Sequence, residues 1–185
     1  RLEATAIAGL LPAGRVRLAL GFAANREAAT GTGVASADIV HFATHGLVSP
    51  DRPAASGLVM SLLDRRGRPQ NGFLRLDEIY NLQLAADLVV LSACQTALGA
   101  EVRGEGLVGL TRGFLYAGAR RVVASLWAVD DSATAALMTR FYQGLLRRGL
   151  SPGAALRAAQ RDIARQPQWR APFFWAGFVV QGDWR

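Results

Sequence analysis

The segment of residues 88–93 constrains the fold more than any other part of this 185-residue chain. It reads Leu-Val-Val-Leu-Ser-Ala, and such a strongly apolar run is typical of a strand buried on both faces of a parallel sheet. Residues 39–44 form a similar run, and segments of helical pattern alternate with these runs along the chain. The alternation predicts an α/β fold, a three-layer α/β/α sandwich around a central, mostly parallel sheet of about six strands.

The remaining elements follow from apolar periodicity and from turn-forming and capping residues. No internal repeat and no long linker interrupts them, so residues 1–185 are predicted to form one domain. Because the sequence starts at Arg1 and not at Met, we expect it to be part of a longer protein. The predicted strands are 15–21, 39–44, 57–63, 88–93, 122–126 and 174–180. The predicted helices are 2–11, 25–36, 77–84, 106–117, 130–148 and 152–166.

Composition excludes several classes of protein. With 51% hydrophobic and 19% charged residues, the chain is not intrinsically disordered, and it has no run of about 18 apolar residues that predicts a membrane span. The single cysteine excludes an internal disulfide and suits a reducing compartment, so a cytoplasmic location is expected. The net charge of +7 comes entirely from scattered arginines, and therefore no nucleic-acid partner is expected.

Two reactive side chains follow the apolar runs directly. His45 and Gly46 come after the first run, and Cys94 comes after the second. Functional side chains of parallel sheets gather where the strands end, so neighbouring strands would bring His45 and Cys94 to one cleft. A thiol with an imidazole beside it is the minimum for nucleophilic catalysis, because the imidazole favours the thiolate or protonates the leaving group.

The sequence around these residues resembles the caspase-like cysteine peptidases of clan CD. The motif Ser92-Ala93-Cys94-Gln95-Thr96, together with the stretch from His41 to Gly46, is similar to the CHAT family, bacterial caspase-like domains often found after tetratricopeptide repeats. The spacing of 49 residues between His45 and Cys94 agrees with that of caspases, whereas the caspase signature Gln-Ala-Cys-Arg-Gly is absent. Further matching stretches are 104–107, 117–120, 125–131 and 174–178.

The resemblance implies a signalling endopeptidase that cuts a protein or peptide partner at a restricted site. It implies Cys94 as the nucleophile, His45 as the general acid/base, and the backbone N–H groups of Gly46 and Cys94 as oxyanion donors. It also implies that Ser125, Leu126 and Trp127 line the substrate cleft, and that a sensor or repeat region precedes the domain. Such a mechanism needs no metal or organic cofactor.

Three other interpretations are compatible with the sequence. The spacing of His41 and His45 is that of a zinc site, but two histidines and one cysteine fall short of about four ligands, and His41 is better read as a supporting core residue. The glycines at 104, 106 and 109 formally match a dinucleotide fingerprint, although they do not follow a strand directly. The third interpretation is a catalytically latent or silent interaction or signalling module that binds a partner without turnover.

Overall fold

The computed structural model describes residues 1–49, 55–92, 94–97 and 105–183, and at 94–97 and 105–108 the description covers the backbone. The helices and strands below come from these ranges. The strands are β1 (Ile39–Phe42), β2 (His45–Val48), β3 (Gly57–Val59), β4 (Phe73–Arg75), β5 (Leu88–Leu91), β6 (Cys94–Ala97), β7 (Arg121–Ser125) and β8 (Phe178–Gly182). The α-helices are α1 (Leu2–Ala8), α2 (Arg26–Thr30), α3 (Thr32–Ala35), α4 (Leu76–Tyr80), α5 (Glu105–Tyr116), α6 (Asp131–Arg148) and α7 (Pro152–Ala164).

The strands form two four-stranded sheets. The central sheet has the order β1-β5-β7-β8, and only its β7–β8 pair is antiparallel. The second sheet has the order β4-β3-β2-β6, with β2 and β6 parallel and the other pairs antiparallel. The α/β class and the mostly parallel central sheet are therefore confirmed and are consistent with a caspase-like fold, with the strands divided between two sheets where one of about six was expected.

Helices cover both faces of the central sheet, which gives the predicted three layers. Successive strand residues point to opposite faces, so Val89 and Leu91 join the core beneath α4 and α5. Leu88 and Val90 join the core beneath α1, α6 and α7. All four residues of β5 are buried, as the apolar run at 88–91 predicts for a strand covered on both sides.

The main helices begin and end where their capping residues predict. Asp130 caps α6 by accepting the N–H of Ala133 at 2.8 Å. Gly149 ends that helix in the left-handed conformation with φ of +62°, which glycine adopts without a steric penalty. Pro152 begins α7 at its first position, where the missing N–H of proline costs nothing.

Several predicted elements differ from the structure. Residues 15–21 do not form a strand, because the alternating Val16, Leu18 and Leu20 find no strand to pair with, and Leu18 stays 47% exposed. The helix predicted at 25–36 is interrupted at Gly31, which separates α2 from α3. The last strand starts at Phe178 and not at 174, because Pro172 opens a short 3-10 turn before it.

None of the helices in the described ranges is both long enough and apolar enough to cross a membrane.

Candidate active site

The backbone brings His45 and Cys94 opposite each other on adjacent parallel strands. In the central sheet Ile39 pairs with Leu88, and in the second sheet His45 pairs with Cys94. The partner lies 49 residues further along the chain in both pairs (88 − 39 and 94 − 45). The sequence spacing between His45 and Cys94 therefore equals the register offset of the strands.

Equal connections preserve this register between the two sheets. β1 passes into β2 through residues 43–44, and β5 passes into β6 through residues 92–93, so each connection has two residues. We call these two connections the junctions. Adjacent strands lie about 4.8 Å apart, and residues in register share a face of the sheet. His45 and Cys94 are consequently neighbours immediately after the junctions.

Hydrogen bonds hold the described sides of the junctions. The N–H of Ser92 donates to the carbonyl of Phe42 at 3.0 Å, which continues the parallel pairing one residue beyond Leu91. The hydroxyl of Thr44 donates to the carbonyl of Val59 on β3. These contacts fix the backbone directly before His45.

His45 is exposed, whereas Gly46 and Val48 on the same strand are buried. Strand alternation explains the difference, because Val48 belongs to the core beneath α4 and α5. Gly46 lies between Leu58 of β3 and Gln95 of β6. An exposed imidazole is accessible to a substrate, as a general acid/base must be.

The three residues predicted to line the cleft occupy different environments. Ser125 is fully buried at the end of β7. Leu126 is 38% exposed, and its N–H donates to the carbonyl of Gly177 at 2.7 Å. The indole N–H of Trp127 donates to the carbonyl of Phe173 at 3.0 Å. The role of these residues in substrate binding stays a prediction.

His41 is a hydrogen-bonded core residue, as predicted. Its Nδ1 lies 3.0 Å from the hydroxyl of Tyr142 on α6, and its Nε2 lies 3.1 Å from Oε1 of Glu3 on α1. The other carboxylate oxygen of Glu3 accepts the hydroxyl of Ser92 at 3.0 Å. Sequence reasoning missed the roles of Glu3, Ser92 and Tyr142, because they meet only after three distant elements have packed together.

The partners of His41 also bear on the zinc alternative. Both ring nitrogens of His41 face Tyr142 and Glu3, on the side of the central sheet covered by α1 and α6. His45 lies on a strand of the other sheet, whereas the two-histidine zinc motif requires both ligands on one face of a helix. The structure therefore gives the His41–His45 pair no common metal site.

An open groove of about 490 Å³ runs past the first junction. Its wall includes Ala43, two residues before His45, and the exposed ring of Phe22. Arg1 and Arg65 also line it. From the sequence, the turn at residues 49–55 and the loop at residues 98–103 are predicted to form further walls of the cleft. Both segments lie largely outside the described residues.

Comparison with known protein families identifies the family of this chain. The model of the CHAT domain matches residues 1–183. The chain belongs to the CHAT domain family. Among curated proteins, the chain is similar to tetratricopeptide repeat protein 28 of Mus musculus, with 40% identity over 106 residues, and to the Homo sapiens protein of the same name, with 37% identity over 114 residues.

These matches cover 57% and 62% of this chain, and 4% of each relative. The chain therefore corresponds to a small part of those proteins. Both are animal proteins, so similarity to this chain is not confined to the bacterial proteins that the motif suggested. The similarity establishes the domain and its relation to caspase-like folds.

Proposed function

We propose that this CHAT domain is a cysteine endopeptidase that cleaves a protein partner at a restricted site. One observation carries the proposal: the only cysteine of the chain is in register with an exposed histidine on the adjacent parallel strand. The arrangement supports thiol catalysis because the two residues occupy neighbouring positions on one face of the sheet.

The chemistry follows from the residue types. The Cys94 thiolate attacks the scissile carbonyl carbon, and the oxyanion forms near the backbone N–H groups of Gly46 and Cys94. The carbon–nitrogen bond then breaks while His45 protonates the leaving amine, which leaves a thioester on Cys94. Water, deprotonated by His45, hydrolyses the thioester and regenerates the thiol. No metal or organic cofactor takes part.

The groove beside Ala43 supports an extended peptide as the substrate. Phe22 and Leu20 offer apolar surface, and Arg65 offers a cation. We expect substrates to carry an acidic side chain at the subsite next to Arg65. The names of the relatives support a further expectation, that tetratricopeptide repeats accompany this domain in its full-length protein and present the partner.

A peptide-library digest tests the activity. The wild-type chain should produce cuts that both Cys94→Ala and His45→Ala abolish, and acidic residues should be enriched at one position near the cut. Arg65→Ala should remove that enrichment while cleavage of other peptides continues, with Arg66→Ala as the neighbouring control. Cuts that persist in Cys94→Ala would show that the nucleophile is another group and would end the proposal.

A second candidate is a silent binding module. Two hydrogen bonds within the chain favour it over a peptidase. The backbone N–H of Leu126 and the indole N–H of Trp127, in the segment predicted to line the substrate cleft, are already bonded. A cleft with such internal pairs cannot use those donors to bind an added peptide strand until they are released. For this candidate, Cys94→Ala would retain both the binding of a partner and the cellular effect of the full-length protein.

A further inference from the structure

Four side chains form a cluster at the start of the junctions. The cluster consists of Glu3 on α1, His41 on β1, Ser92 after β5 and Tyr142 on α6, and we call it the strand clamp. The two oxygens of Glu3 reach different strands, one contacting His41 at 3.1 Å and the other Ser92 at 3.0 Å. A single carboxylate thus bridges the two strands that lead to His45 and Cys94.

The strand clamp is enclosed by protein. The side chains of Glu3 and His41 are each 12% exposed, and Tyr142 is 2% exposed. Burial, with a smaller contribution from the charge of Glu3, raises the pKa of the Tyr142 hydroxyl and keeps it protonated. One consistent set of bonds has Tyr142 donating to Nδ1 of His41, Nε2 of His41 donating to Glu3, and Ser92 donating to Glu3.

The position of the strand clamp connects it to the candidate dyad. His41 lies four residues before His45, and Ser92 lies two residues before Cys94. The main chain of Ser92 is also bonded to Phe42, so both strands are held at the level of the clamp. Any sliding of one strand past the other would have to break the bridge through Glu3.

Helix α1, which carries the bridging carboxylate of Glu3, buries few apolar side chains. Ile7 is the only buried residue of this seven-residue helix, and Leu2 is 84% exposed. Segments that bury few apolar groups open at a low free-energy cost. The contacts of Glu3 therefore matter to the docking of α1 as well as to the strands.

We propose that Glu3 is a positioning residue for His45 and Cys94. Its carboxylate ties His41 of β1 to Ser92, the residue that follows β5, so the docking of α1 fixes the alignment of the two reactive positions. The catalytic importance of that alignment rests on the proposed function. It adds a role for an N-terminal helix that lies outside the two motif segments.

The reactivity of the single cysteine provides the test. Because Cys94 is the only thiol of the chain, alkylation by iodoacetamide measures that residue alone. The rate is followed from pH 5 to 10 for the intact wild-type chain, His45→Ala, Glu3→Gln, and the double variant. Glu27→Gln is the matched control, since Glu27 is an exposed glutamate in the first turn of α2.

We expect His45→Ala to shift the profile toward that of an ordinary thiol with a pKa of about 8.5. Glu3→Gln should slow alkylation at neutral pH by about tenfold, because small misplacements of reacting groups have large effects on rate. It should have no further effect in the His45→Ala background, and Glu27→Gln should match the wild type. Circular dichroism confirms that each variant is folded.

Each contrary result has one meaning. A folded Glu3→Gln with the wild-type profile, while His45→Ala shifts it, overturns the role of Glu3 and leaves the proposed function intact. A profile that His45→Ala does not change overturns the proposed function. If His45→Ala leaves the profile unchanged but Glu3→Gln slows alkylation, strand alignment by the clamp is still supported. If neither variant changes alkylation, the role of Glu3 is overturned as well. If Glu3→Gln does not fold, Ser92→Ala and Tyr142→Phe are judged by the same criteria.

Discussion

Individual carboxylates tie together segments that are distant in the sequence, and Glu78 is a clear case. Its Oε2 accepts the N–H of Arg75 at the start of α4 at 3.0 Å, and its Oε1 pairs with Arg26 of α2. The hydrogen bond from the backbone of Arg75, followed by the contribution of the Arg26 guanidinium, holds the pKa of Glu78 below 4.5 against the opposing effect of partial burial.

This shift predicts how stability depends on pH. The pKa of Glu78 is lower in the folded state than in the unfolded state. The contribution of its charged carboxylate to the free energy of unfolding is therefore fully present above about pH 4.5, and it is lost as the pH falls through the pKa of the folded state. Glu78→Gln should lower the free energy of unfolding by about 1 kcal/mol at pH 7. Urea unfolding should show this gap narrowing toward pH 3, and a constant gap would contradict the assignment. Asp77→Asn, at an exposed neighbour, is the control.

Residue chemistry explains which parts of the site the sequence could reveal. His45 and Cys94 stand out because each follows an apolar run and has a reactive side chain. Glu3 gives no such signal, since its partners lie 38 and 89 residues away. Its importance depends on how α1 packs, and a periodic pattern within a short helix carries no information about that packing.

At the scale of elements, the two junctions determine the geometry of the candidate site. The apolar runs predicted β1 and β5, whereas β2 and β6 were missed because the short segments 45–48 and 94–97 lack an apolar pattern of their own. Their pairing is inherited from the strands before them through connections of equal length. The strand prediction at 15–21 was wrong for the opposite reason. That segment has an alternating pattern of its own, but it has no partner strand to pair with among the described residues.

Equal junction length leads to a prediction for the proposed activity. Inserting one glycine between Ala43 and Thr44 should move His45 out of register with Cys94, because a slip of one residue exchanges the faces of a strand. Peptide cleavage should be lost, while circular dichroism retains the signal of the central sheet. The same insertion after Gly14, in an exposed 3-10 turn, should leave cleavage unchanged. Full activity of the first variant would show that the register is not required.

At the scale of the whole molecule, one sheet separates two cores. Phe114 fills the core on the side of α4 and α5, and Phe141 fills the one on the side of α6. Both side chains are fully buried. Because the strands of the central sheet contribute to both cores, the two sides should unfold together.

Truncating either phenylalanine tests this cooperativity. Phe114→Ala and Phe141→Ala should each lower the free energy of unfolding by about 3–5 kcal/mol, and calorimetry should still show a single transition at a reduced temperature. Phe22→Ala, at a side chain that is 49% exposed, should have a small effect. Two separate transitions in either core variant would show that the cores are independent.

The separation of the cores also has a spectroscopic consequence. Trp127, Trp169 and Trp175 all pack against the core beneath α1, α6 and α7, whereas Tyr80 packs against the opposite core and contacts the ring of Tyr116. Fluorescence from these three indoles therefore reports on one side of the sheet, whereas tyrosine emission comes from both sides, because Tyr142 lies in the same core as the indoles. Emission from these indoles thus provides an optical label for the side of α1, α6 and α7 without any added dye.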